Sequence, residues 1–448
     1  MGIAKSDIRA LMEAMRHLIA AVACILLLSL PALADKGKQR PAAAEDALTL
    51  SGLIEAAGKR NLKLKAALIE EQRAQKRQKV ESALDDPMLS FEYRPRRDED
   101  EFMISLTQDV PFPGKLGTKR KIAGQDALVA SLQAEAAKRD ALADIKKAFY
   151  DYYFFDRALK VTRENEAVLE YLGAVTKSNY GLNTAGLDDL VRASRLYSDA
   201  STDAAMYESM REGAIARIRK LLNMNETEPL AEPEEIGFAL FERTREEVLS
   251  DARSGSLDIK RASVEKTKGE YEVSLAKYSY LPDFVFGATY SMMRPDNPAM
   301  KDENNFGYMV GLRIPLWLGK KGAALKDARL GVDKALIMER DALSGSVNEA
   351  LTLYAEITSR ARVVALYDSR LIPEAERAHK LAEARYKNGK EKLSMLLEAE
   401  GLLLEFRLAY YRALTDYLKA VAELERITGK DYLPRTASNG NGGSNGKK

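Results

Sequence analysis

The chain carries one motif twice. Residues 108–123 read QDVPFPGKLGTKRKIA, and residues 312–328 read LRIPLWLGKKGAALKDA. In each copy an alternating stretch ends in Val110-Pro111 or Ile314-Pro315. A Gly-Lys turn follows (Gly114-Lys115, Gly319-Lys320), and then a long Ala-rich helical pattern. A repeat this widely spaced fixes the architecture before any single motif does. It predicts one duplicated unit where a length of 448 residues would otherwise suit two or three ordinary domains.

The helical pattern is long. The sequence predicts helix from Thr49 to about Ala83 with a break at Asn61, from Lys119 to about Lys177, and from Leu187 to about Asn223. The second half repeats that order over about 244–280, 321–385 and 392–428. A helix of about 60 residues is roughly 90 Å long. Length well beyond ordinary globular helices points to a coiled coil or helical array.

Four short stretches have period two instead: about 88–94, 102–110, 284–291 and 306–314. Leu89, Phe91 and Tyr93 alternate with Ser90, Glu92 and Arg94, and Phe306, Tyr308, Val310 and Leu312 alternate with Gly307, Met309, Gly311 and Arg313. Large apolar residues on one face and small or polar ones on the other suit either soluble hairpins packed on a helix or a lipid-facing barrel wall. The polar connections RPRRDEDE and RPDNPAMKDENN suit loops outside a membrane. Four strands cannot close a barrel, since the smallest have about 8. Open edges are not tolerated in lipid, so a wall of this kind requires assembly. Three chains would supply twelve strands.

The N-terminus reads as a secretory signal. Lys5, Arg9 and Arg16 precede an apolar run from Leu18 to Leu30, and Ala32-Leu33-Ala34 offers small residues before a mature start at Asp35. Lipid attachment at Cys24 is the alternative. The expected organisation is a signal peptide over 1–34, a flexible leader over 35–47, a first repeat over 48–224, a connector over 225–243, a second repeat over 244–429 and a disordered tail over 430–448.

Composition narrows function. Lys+Arg number 69 against Asp+Glu 67, and a net charge of +2 gives no reason to expect nucleic acid. With His17 and Cys24 in the signal, the mature chain keeps one histidine, His379, and no thiol. That removes a Cys/His zinc site and a thiol nucleophile. His379, in the polar run PEAERAHKLAEARY, is expected to be a solvated helix residue. No catalytic residue, metal ligand set or cofactor is expected. VPFPGK lacks the spaced Gly and the Lys-Ser/Thr pair of a phosphate loop. Pro111 and Pro315 are expected to end strand ladders without an orphan donor. Gly114 and Gly319 are expected to swing the chain from strand into helix.

Taken in register, these features resemble the TolC-type outer-membrane efflux family over about 48–429. The resemblance rests on the duplicated helix–strand–strand–helix–helix order, on VPFPGK and IPLWLGK, and on two turn motifs, NYGLNTAGLDDLVRA (179–193) and RYKNGKEKLSMLLEA (385–399). It implies a mainly α-helical protein with a transmembrane β part. Four strands per chain would join a trimeric, 12-stranded barrel continuous with a periplasmic α-helical tunnel. The implied function is the passive outer-membrane channel of a tripartite efflux system. Its implied partners are a periplasmic adaptor, an inner-membrane pump of the RND type and outer-membrane lipid. A periplasmic adaptor or a structural coiled-coil envelope protein is the alternative.

The resemblance also places the turns at the periplasmic tip and gate: Tyr180, Asn183, Asp188 and Asp189 in the first, and Tyr386, Gly389, Glu391, Met395 and Glu398 in the second. Asn183 and Gly389 would take left-handed backbone positions. Asp189 and Glu398 fall where acidic groups can ring the pore. For Asp188, Asp189 and Glu398 the plainer reading is a solvated charge near a helix start. Glu391 stands where the best-known gate has an Arg, and Met395 where it has a second Asp. Met88, Met103, Met292, Met293, Met300 and Met309 cluster about the strands. Thioethers select soft ions, although methionine is also flexible apolar filler. The pattern is similar to the heavy-metal (CusC/CzcC-like) branch.

Overall fold

The computed structural model describes residues 48–95, 99–182, 186–295 and 303–433. The signal peptide, the leader, His17, Cys24, Asn183, Met300 and the tail from 434 lie outside them. The first repeat comprises α1 (Leu50–Arg60), α2 (Leu62–Glu81), β1 (Met88–Pro95), β2 (Glu99–Val110), α3 (Lys115–Gly181) and α4 (Leu187–Leu222). The second comprises α5 (Arg245–Gly255), α6 (Leu257–Tyr278), β3 (Asp283–Pro295), β4 (Glu303–Arg313), α7 (Leu318–Leu366), a π-turn (Tyr367–Leu371), α8 (Ile372–Lys387) and α9 (Leu393–Thr428). Among the described residues no helix is long and apolar enough to cross a membrane.

Capping sets the helix starts. Thr49 Oγ1 accepts from Gly52 N at 3.2 Å, and Asn61 Oδ1 accepts from Leu64 N at 3.0 Å, so Asn61 closes α1 and opens α2. Thr244 and Glu247 form a capping box at α5. The expected helix over 244–280 is in fact two, because Ser256 caps a new start and accepts from Ile259 N at 3.4 Å. The expected helix over 321–385 is likewise interrupted by the π-turn. Its counterpart α3 runs unbroken for 67 residues, about 100 Å at the standard rise.

The strands form one antiparallel sheet in the order β1-β2-β3-β4, with β1 and β4 at its edges. The register sorts the side chains by face. Phe91, Ile104, Tyr290 and Phe306 form one row across all four strands, as do Leu89, Leu106, Ala288 and Tyr308. The intervening rows are Ser90–Ser105–Thr289–Gly307 and Glu92–Met103–Ser291–Asn305. One face is therefore apolar and the other small or polar. The apolar face is uncovered, with Tyr308 83% exposed.

The main core lies midway along the helices. Phe149, Tyr152 and Tyr153 of α3 pack against Ile218, Ile357, Leu414 and Tyr417. The connector wraps this level and is tied by tyrosine hydroxyls. Tyr152 donates to Ala231 O at 3.0 Å, Tyr153 to Glu235 Oε1 at 2.6 Å, and Tyr417 to Ala239 O at 2.8 Å. Lys146 pairs with Glu425 at 2.6 Å, and Lys147 pairs with Glu423, which locks α3 to α9.

The two strand-to-helix junctions differ. Gly114 has φ +102°, and a Cβ there would sit 2.9 Å from the Tyr278 ring. Such a backbone conformation favours glycine. Gly319 does not adopt one. Helix α7 starts at Leu318, so Gly319 is already helical, and only Gly114, Gly389 and Gly429 are glycines of positive φ among the described residues. The turn after Pro315 is made instead by Trp317 (φ −85°, ψ 69°), whose side chain is 79% exposed.

Candidate functional site

The ends of the two long hairpins meet away from the sheet. Leu169 and Leu172 of α3, Ala200 of α4 and Leu393, Leu396 and Leu397 of α9 form a second, smaller core. Leu196, Tyr197, Ala382 and Tyr386 pack on its margin. The apolar spacing at the start of α9 produces this contact, because Leu393, Leu396 and Leu397 share one helix face.

The turn between α8 and α9 is built by its glycine. Lys390 N–H donates to Arg385 O at 2.9 Å, and Gly389 N–H donates to Tyr386 O at 2.9 Å. This is the Schellman pairing, which requires a left-handed residue after the helix. Gly389 takes φ +64° there. Glu391, standing where the resembled gate has an Arg, lies 3.5 Å from Arg385 and braces the same turn. The counterpart position, Asn183, falls outside the described residues.

A cavity of about 1110 Å³ lies between the hairpins at this end. Asp188, Asp189, Tyr386, Gly389 and Glu391 all line it, beside Arg192 and Lys392. Asp188 and Asp189 occupy the first turn of α4, where the helix dipole favours a negative charge. Tyr386 lies close to Asp189. Burial raises its hydroxyl pKa, the negative charge of Asp189 and the neighbouring Tyr171 raise it further, and a hydrogen bond with Asn179 opposes them. Tyr386 therefore stays neutral at physiological pH, beside the acidic start of α4.

Tyr180, Met395 and Glu398 lie elsewhere. All three are exposed and none lines the cavity. The two acids expected near the pore are thus separated: Asp189 faces the other hairpin, and Glu398 points out from α9.

The position of His379 differs from the solvated one expected. Its Nε2 lies 2.6 Å from Glu400 Oε2, and its side chain is largely covered between α8 and α9. Its neighbours along α8 are polar, which reads as a solvated run. The partner comes from the returning helix, whose register against α8 no local pattern shows. Among the described residues no group of three or more His, Cys, Asp or Glu side chains could hold a metal ion.

Residues 248–430 match the model of the outer membrane efflux protein family. No curated protein sequence matches the chain. The fold is similar to that of a membrane protein from Pseudomonas aeruginosa, at 18% identity and a TM-score of 0.74 over 89% of this chain and 97% of that one. It is also similar to CusC, described for its transmembrane channel formation, at 15% identity and 0.72 over 88% and 98%. The CmeC outer membrane channel of Campylobacter jejuni aligns at 16% identity and 0.69 over 89% and 94%. At these identities the likeness is one of fold.

Proposed function

We propose that this chain, which matches the outer membrane efflux protein family over its second half and shares its fold with outer-membrane channels, is one protomer of a passive exit duct. The observation that carries the reading is the sheet. Its four membrane-length strands have a bare apolar face, a small and polar opposite face, and open edges at β1 and β4. An apolar face this large is unfavourable in water and favourable against lipid, provided the edges are paired. Three copies would close twelve strands, with the apolar rows toward lipid and the serine, threonine and glycine rows toward a water-filled lumen.

In this reading the barrel sits in the outer membrane of a Gram-negative bacterium. The long helices continue the lumen as a tunnel into the periplasm, and the hairpin ends around Tyr386 form its narrow end. An adaptor would dock at that end and an inner-membrane pump, of the RND type, would supply the driving force. The duct itself catalyses no reaction. A periplasmic adaptor or a structural coiled coil would have no use for a two-faced sheet of this kind.

Cargo is a finer proposal. Met88 and Met309 share one polar row with Thr107 and Gly287, and Met103 and Met293 lie on the same face. Thioethers along a lumen suit a soft ion such as Cu(I) or Ag(I), in keeping with the heavy-metal branch. The tests are direct. The protein should fractionate with outer membranes as a heat-modifiable oligomer, and a monomeric soluble protein would overturn the duct. A strain without the gene should lose resistance to copper or silver. Unchanged resistance to both would remove the soft-metal reading and leave the duct standing.

A further inference from the structure

The two repeats pair their strands alike. Leu89 stands opposite Leu106 as Phe286 stands opposite Val310, and Phe91 faces Ile104 as Ala288 faces Tyr308. Leu106 and Val310 also lie equally far before Pro111 and Pro315. Leu89 and Phe91 of β1 thus correspond to Phe286 and Ala288 of β3, and Ile104 and Leu106 of β2 to Tyr308 and Val310 of β4. The helices keep the strand order: α2 packs on α3, α3 on α6 and α6 on α7. The chain therefore has two open sides, α2 with β1 and β4 with α7. Both helices bare apolar side chains, Ile69 at 57% on one and Ile337 at 66% on the other.

We propose that β4 of one copy pairs with β1 of the next in the register that β2 uses with β3, with Val310 opposite Phe91 and Leu312 opposite Leu89, and that Lys320 and Lys321 fasten this seam to Asp85 and Asp86 of the next copy. The inference rests on the reading of the chain as one protomer of a duct, and it adds the surface, the register and the charges by which copies join.

Geometry selects the edges. Joining β1 to another β1 either turns one copy end for end or turns its apolar face to the other side of the sheet. Joining β4 to β1 keeps the apolar faces together and the helices on one side, and a head-to-tail contact of this kind can close into a ring. The repeat then supplies the register. Within the chain Leu106 faces Ala288 and Gln108 faces Phe286. At the corresponding places Val310 faces Phe91 and Leu312 faces Leu89, apolar against apolar. A slip of one residue would put every side chain on the wrong face. A slip of two keeps the faces but displaces the junction by roughly 7 Å. The junction charges decide between the remaining registers. Within the chain Lys115 Nζ lies 2.6 Å from Asp283 and donates to Leu281 O at 3.1 Å. Asp86 and Leu84 stand before Leu89 as Asp283 and Leu281 stand before Phe286, and Lys320 follows Gly319 as Lys115 follows Gly114. One open side thus carries the acidic half of this fastening and the other the basic half. Asp85, Asp86 and Lys320 are exposed. Among the described residues neither these three nor Lys321 has an ion-pair partner in the chain.

The test is disulfide crosslinking of paired cysteines in the detergent-solubilised full-length protein, with the parent chain and its single Cys24 as control. Two strands separate β1 from β4 within a chain, roughly 14 Å at the usual strand spacing, which is beyond the reach of a disulfide. Any crosslink therefore joins copies. After oxidation, Val310→Cys with Phe91→Cys should shift on a non-reducing denaturing gel from the mass of one chain to those of two and three. Val310→Cys with Leu89→Cys, or with Tyr93→Cys, should stay at one. Crosslinking at a control pair, or at no pair in a protein that is still oligomeric in native detergent, would overturn the register and leave the duct standing. A one-chain mass in native detergent would remove both. The fastening has its own readout. Lys320→Glu with Lys321→Glu should lower the temperature at which the oligomer dissociates, and adding Asp85→Lys and Asp86→Lys should restore it. A fourfold variant no more heat-resistant than the double one would overturn the fastening.

Discussion

Asp109 and Arg313 hold each other across the sheet, Oδ2 to Nη2, at 2.7 Å, and they are 204 positions apart. Each precedes the Val-Pro or Ile-Pro that ends its repeat's last strand. The repeated motif therefore carries opposite charges at equivalent places, and its two copies close on one another at the level where the strands give way to helices. Nearby, Lys115 Nζ lies 2.6 Å from Asp283, which also accepts from Phe112 N at 2.7 Å. The two junctions are thus fastened together rather than merely adjacent.

Reversal of either charge should loosen this fastening. Asp109→Arg or Arg313→Asp alone leaves like charges facing each other. The expected loss is small, as for other exposed ion pairs. The double reversal should recover most of it. Thermal unfolding of the four proteins in detergent gives the coupling directly.

Two of the positive-φ glycines should respond unequally to alanine. At Gly389 a Cβ meets nothing within 4 Å, so Gly389→Ala carries only the left-handed backbone cost of about 1 kcal/mol. At Gly114 the same backbone cost is joined by the Tyr278 ring at 2.9 Å. Gly114→Ala should cost about 2–3 kcal/mol. Denaturant midpoints order the two, and equal losses would contradict the account of the junction.

The acidic residues at the hairpin ends can be separated by conductance. Asp189 lines the cavity between the hairpins, and Glu398 is exposed on α9. If both ring the assembled pore, the double change to Ala raises single-channel conductance or weakens cation block, and each single change gives part of the effect. If only the cavity-lining acid does, Asp189→Ala alone reproduces the double. An unchanged double variant removes both from the pore.

Acid should weaken the midlevel core. Burial alone would raise the Glu423 pKa, but hydrogen bonds from Lys147 and Arg426 and their charges outweigh it and hold it below 4.5. A depressed carboxyl contributes stability above its unfolded value, and that contribution is lost as pH falls through the folded one. The unfolding temperature should therefore fall from about pH 4.5 downward, and Glu423→Gln should flatten that limb while lowering stability at pH 7. An acid limb as steep in the variant as in the native chain would count against this assignment.

The fold was legible because its elements are long or strongly alternating. The odd-even sorting of Phe91 against Ser90, or of Tyr308 against Gly307, carries directly into the face-sorted rows of the sheet. Asn61 marked a helix boundary because an asparagine cap interrupts an apolar stripe. Ser256 makes the same kind of boundary, and its signal, Gly-Ser followed by Asp258 in the first turn, was present but lies in a more polar stretch. The π-turn has no local signature beyond Pro373. At the hairpin ends, Gly389 was legible from backbone chemistry alone. The approach of Tyr386 to Asp189 and of His379 to Glu400 was not, because each depends on how one long helix is registered against another. A shift of one residue there turns a side chain by about 100° around the helix axis.

The claim on which the rest depends is that one chain holds only part of a barrel. The mass of the purified, detergent-solubilised protein, corrected for bound detergent, tests it most directly. The account predicts the mass of three chains, dissociating on heating to one. A stable single chain with its sheet edges unpaired would contradict it.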